Sequence, residues 1–128
     1  MNILTKRVSK DTLFAEYVKI LNGVLSLSER EAMVFSFLLS IDSAGKLDNI
    51  NTRQIRAGIM ANTGISAPNL SRYLGVLKDN GLLVRGTTGK WVLNDIVRPV
   101  ITDGKLELKF VLYADKAGDT NQGFGSKV

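Results

Sequence analysis

The sequence predicts an α+β domain in which helices come first and two β-hairpins follow. Three observations predict it. Between Asp11 and Asn80, successive segments place apolar residues three and four positions apart behind capping residues. After Gly81, two pairs of β-rich runs flank Gly86-Thr87-Thr88-Gly89 and Asp103-Gly104, which are turn sequences. The chain has 128 residues, 45% of them hydrophobic, enough for one domain with a real core. The expected organisation is a basic arm over 1–10, one domain over 11–113 and a flexible tail over 114–128.

Residues 1–10, MNILTKRVSK, carry Lys6, Arg7 and Lys10 and no acid. Such an arm either contacts phosphate or is a solvated terminus. Ser9 or Asp11 then caps a helix with the apolar stripe Leu13, Phe14, Tyr17, Val18 and Leu21, and Asn22-Gly23 stops it. This wide aromatic stripe suits either the core of its own chain or a subunit interface. Ser28-Glu29-Arg30-Glu31 is a capping box: the serine and the glutamate three residues on each satisfy the other's free N–H. Val34, Phe37, Leu38 and Ile41 follow at helical spacing, with Phe35 and Leu39 alongside, so this helix is buried on much of its circumference. Ser43-Ala44-Gly45-Lys46 is a turn, and Asp48-Asn49-Ile50 a short strand added to the first hairpin. Asn51 or Thr52 caps the next helix, which buries Ile55 and Ile59 and turns Arg53 and Arg56 outward.

Gly64 is the pivot between that helix and the next. A steep turn needs a left-handed backbone, which glycine adopts without steric cost. Ile65 is an apolar plug, Ser66 the next N-cap, and Pro68 sits in the first turn, where its missing N–H does no harm. Leu70, Tyr73, Leu74 and Leu77 form one buried face, and Asn80-Gly81 ends the helix. The opposite face holds Asn69, Ser71, Arg72, Gly75 and Lys78, all small, polar or basic. In the hairpin over 82–93, Arg85, Thr87, Thr88 and Lys90 put charge and hydroxyls at the tip. Gly86-Thr87-Thr88-Gly89-Lys90 mimics a phosphate-binding loop, but that loop needs four residues between its glycines, a hydroxyl residue after the lysine and a following helix. Here Trp91 and a strand follow. A second hairpin joins 97–102 to 105–113 through Asp103-Gly104, with Leu106, Leu108, Phe110 and Leu112 alternating with Lys105, Glu107 and Lys109. From Ala114 the chain is polar, glycine-rich and without periodicity, the composition of a disordered tail.

The run from Thr63 to Arg85, T-G-I-S-x-x-x-L-S-R-x-L-x-x-L-x-x-x-G-L-L-x-R, resembles winged helix-turn-helix DNA-binding domains. Within that group it is similar to MarR-type regulators and RepL-type plasmid replication initiators, over roughly residues 26–96. Two features depart from the pattern: Met60 stands where the family has a small alanine, and the helix before the turn reads as only about one turn long. The resemblance implies a three-helix core with a β-hairpin wing, to which this chain adds an N-terminal helix and a C-terminal hairpin. It also implies a recognition helix, 66–80, in the major groove, and the wing, 82–93, on the backbone or minor groove.

Net charge is +5, and between Arg53 and Lys90 six basic residues face one acid, Asp79. A double-stranded DNA partner follows as the first expectation. Asn69 and Arg72 would read base edges, since Arg suits guanine and Asn adenine. Ser66, Ser71, Arg53, Arg56, Lys78 and the wing residues Arg85, Thr87, Thr88 and Lys90 would position the backbone. The expected role is transcription regulation, with replication initiation, or binding a protein partner in transcription or replication, as alternatives. The surplus apolar surface of the first helix and last hairpin suggests a homodimer. With neither His nor Cys in the chain, disulfides, Cys/His metal sites and histidine acid–base chemistry are excluded. No nucleophile–base pair is evident, so an enzyme or a cofactor is not expected. No run approaches a membrane span and no signal peptide is evident, so a cytoplasmic protein is expected.

Overall fold

A computed structural model describes residues 3, 5–42, 47–108 and 113–114. The expected turn at 43–46, the apolar stretch 109–112 and the tail from 115 lie outside the described residues. The described chain is α+β: helices α1 (Leu13–Leu25), α2 (Glu29–Ile41), α3 (Arg53–Thr63) and α4 (Ala67–Asp79), then antiparallel hairpins β1 (Leu83–Arg85) with β2 (Trp91–Leu93) and β3 (Ile101–Thr102) with β4 (Lys105–Leu106). This order is compatible with a winged-helix-like arrangement.

The most apolar helix is the hub. α1, α3 and α4 all pack on α2, whose Val34, Phe35, Leu38 and Leu39 are buried. Its capping box forms as the spacing requires: Glu31 N–H donates to Ser28 Oγ at 3.2 Å, and Ser28 N–H donates to Glu31 Oε1 at 2.8 Å. Of the α1 stripe, Tyr17, Val18 and Leu21 are buried, with Leu25 beyond them, and Phe14 packs against the same core. The stripe therefore belongs to the core of its own chain. Tyr17 completes its burial by donating its hydroxyl to the Val97 carbonyl at 2.8 Å, tying α1 to the chain after the first hairpin.

Four local expectations are corrected. α1 runs through Asn22-Gly23 to Leu25 and ends at Ser26 in left-handed conformation (φ 58°). Asn22 instead braces the following turn: its Oδ1 accepts from Leu27 N–H at 2.6 Å and its Nδ2 donates to the Leu27 carbonyl at 3.0 Å. Residues 48–50 make no strand. Ile50 N–H donates to the Trp91 carbonyl at 2.9 Å, but two residues later Thr52 is already capping α3, so no ladder extends. α3 is 11 residues long rather than one turn, because that cap starts it early and Gly64 (φ 74°) ends it late. Met60 is half-buried and packed against the core. Finally, the chain after β2 does not become a strand at Val97. Asn94 accepts from Ile96 N–H, Asp95–Val97 form a 3-10 turn, and Pro99 supplies no donor for a ladder.

The second hairpin is short. Asp103 (φ 53°) and Gly104 (φ 74°) make its two-residue turn, both left-handed as tight hairpin turns require. Leu106 and Leu108 are half-buried against the core while Lys105 and Glu107 are exposed, so the alternation holds as far as the described residues go. Arg98 anchors the base of this segment through Asp42 at the end of α2, at 2.7 Å, and through Asp95. Among the described residues no helix is long and apolar enough to cross a membrane.

Candidate nucleic-acid interface

α4 has two unlike faces, and its sequence sets them. Leu70, Leu74 and Leu77 are buried and Tyr73 is half-buried, one face of a regular helix. Pro68, Asn69, Ser71, Arg72 and Asp79 are exposed on the other side, with Gly75 and Lys78 half-exposed. Ser66 occupies the N-cap position with an extended backbone, but its hydroxyl makes no cap hydrogen bond, a correction to the expected cap. Pro68 in the first turn removes one of the donors such a cap would serve.

Three elements meet along this helix. From α3, Arg56 donates from Nη2 to Ser71 Oγ at 2.7 Å and from Nη1 to Asn51 Oδ1 at 3.4 Å. Seven residues after Ser71, and so on nearly the same face about 10 Å along the axis, stands Lys78. Its Nζ lies 4.6 Å from the centroid of the Trp91 ring, and Arg85 Cζ lies 4.9 Å from the same ring. Trp91 on β2 thus gathers one cation from α4 and one from β1. Arg85 is pinned further by donating from Nη1 to the Gly89 carbonyl at 2.8 Å. The hairpin tip is closed by Gly86 N–H on the Lys90 carbonyl (2.7 Å) and Gly89 N–H on the Gly86 carbonyl (3.0 Å). That leaves Thr87 and Thr88 at the apex, exposed together with Lys90.

Beside these groups, Arg72 and Asn69 form a pair of their own. Arg72 Nη2 donates to Asn69 Oδ1 at 3.2 Å, and the Arg72 guanidinium stands 4.8 Å from the Tyr73 ring centroid. Arg53 is exposed at the start of α3. The structure therefore brings together Arg56 with Ser71, Arg72 with Asn69, and Lys78 with Arg85, and puts Ser66, Arg53 and the tip residues on the ends of the same elements. The basic arm is only partly available for another partner. Lys6 donates to Glu16 Oε1 at 2.7 Å, and its ammonium, followed by that of Lys19, holds the Glu16 carboxyl below its ordinary pKa.

In the sequence, Tyr73 and Trp91 read only as parts of the fold. Each also carries a cation, and no spacing rule announces that, because Trp91 meets Lys78 only once β2 is folded beside α4. Thr52 rather than Asn51 caps α3, and Asn51 receives Arg56.

No protein-family model, curated protein or solved structure matches the chain. A functional reading rests on these residues and their geometry.

Proposed function

We propose that the protein binds double-stranded DNA with sequence preference, as a winged helix-turn-helix domain acting in transcription regulation in the cytoplasm. One observation carries this reading. α3, α4 and the first hairpin set two basic groups, Arg56 with Ser71 and Lys78 with Arg85 on Trp91, along one side of a helix whose opposite face packs in the core. In this reading the two groups lie along phosphates and set the register. Arg72 and Asn69, on the exposed face beside them, meet base edges in the major groove. The first hairpin is the wing, and Thr87, Thr88 and Lys90 reach the backbone or minor groove.

Selection from random duplex DNA with two variants tests the division of labour. Arg72→Ala is expected to relax the preference at the positions it reads. Lys90→Ala is expected to weaken all sequences about equally, the signature of a phosphate contact. An unchanged consensus for Arg72→Ala would remove α4 from the groove.

A single recognition helix covers only a few base pairs, so the same reading calls for a homodimer on a pseudo-palindromic site. The buried stripe of α1 is not available for that interface. Exposed apolar side chains of α1 (Ile20, Val24), of α2 (Met33) and at the entry to the second hairpin (Ile96, Val100, Ile101) offer surface for it. Sedimentation equilibrium at micromolar concentration should give a dimer. A monomer, together with a selected site lacking two-fold symmetry, would refute the dimer.

A further inference from the structure

The pairing of Arg72 with Asn69 points to a base preference that the residues taken separately do not. Arg72 carries only donors, so the Asn69 atom 3.2 Å from its Nη2 must be the carbonyl oxygen, which fixes which way the amide is turned. The guanidinium is constrained on a second side by the Tyr73 ring at 4.8 Å, so the pairing does not rest on one hydrogen bond. Asn69, which is exposed, then keeps its NH2 group as a donor for a partner. Its oxygen, the acceptor needed for the two-point contact with adenine N6 and N7, sits beside a full positive charge. An incoming N6–H2 donor would bring further positive charge to that place, whereas a purine acceptor is drawn to it.

We infer that Asn69 and Arg72 form one composite donor surface that selects guanine, through its N7 and O6, rather than an adenine-reading asparagine next to a guanine-reading arginine. This rests on the reading of α4 as the helix that enters the groove. It makes Asn69 a specificity residue that acts at the same base as Arg72, partly by orienting it.

The test combines site selection from random duplex DNA with binding to one selected duplex in which the guanine is replaced by 7-deazaguanine, which lacks the N7 acceptor. Both side chains are exposed, so Asn69→Ala and Arg72→Ala leave the core intact, which thermal unfolding checks. The expected result is a guanine at the position where both variants lose preference, and about tenfold weaker binding on 7-deazaguanine substitution. Asn69→Ala should lower preference for that guanine without releasing preference at any adenine. An adenine whose selection is lost in Asn69→Ala, or two different positions affected by the two variants, would overturn the composite site while leaving duplex binding in place. Absence of duplex binding by the intact protein would overturn the groove reading and this inference with it.

Discussion

At the scale of single residues, the interior and the proposed interface use their polar groups differently. Tyr17 is 4% exposed and spends its hydroxyl on the buried Val97 carbonyl. Removing the donor strands that acceptor, so Tyr17→Phe should cost about 1–3 kcal/mol in denaturant unfolding. Burial also raises the phenol's pKa above its ordinary value of 10.0. A raised pKa in the folded state means that the unfolded chain releases its proton first. The stabilisation is therefore complete below pH 10 or so and is lost as pH rises through the folded-state value. Tyr17→Phe should remove this part of the alkaline fall in stability, and an unchanged alkaline limb would show that Tyr17 is not its source. On α4, by contrast, Arg72 and Asn69 satisfy each other while exposed and keep most of their donors for a partner.

At the scale of elements, what could be read in the sequence was what is local. The Ser28–Glu31 box, the Thr52 cap, the Gly64 pivot and the Asp103-Gly104 turn each involve residues two to four positions apart, and each forms as the sequence indicates. Gly64 is the sharpest case. It closes α3 at φ 74° with nothing near the place of a Cβ, so substitution there meets backbone strain rather than a clash. Gly64→Ala should destabilise by about 1–2 kcal/mol, measured by thermal unfolding, and loosen the angle between α3 and α4. A neutral result would mean that the turn tolerates a right-handed rearrangement. The stop at Asn22-Gly23 and the Ser66 cap, both local, do not form, and most of what else could not be read joins residues far apart in the chain. Arg98 pairs with Asp42 across 56 positions, Arg56 reaches Ser71 across 15, and Trp91 collects Lys78 and Arg85 from two different elements. Charge and polarity mark Arg56, Ser71, Lys78 and Arg85 as surface residues of interest, but only the packing of α3 on α4 pairs the first two, and only the folding of the hairpin beside α4 brings the last two together on Trp91. Arg98 had no such mark, because a charged residue before a proline looks like any loop residue until its partner is known.

At the scale of the whole molecule, the charge is unevenly used. Lys6 and Lys19 are paired with Glu16, and Arg98 with Asp42 and Asp95, all outside the unit from α3 to β2. Within that unit, Arg53, Arg56, Lys78, Arg85 and Lys90 are assigned to phosphate and Arg72 to bases, against the one acid Asp79. Counterion release turns that assignment into a number, since each neutralised phosphate contributes about −0.9 to the slope of log affinity against log salt. The most direct measurement is a salt titration of duplex binding by the full chain. Five phosphate contacts give a slope of roughly −4 to −5 per bound copy, about twice that for a dimer. A slope near zero, or no binding to a broad set of duplexes at low salt, would contradict the assignment of this surface to DNA.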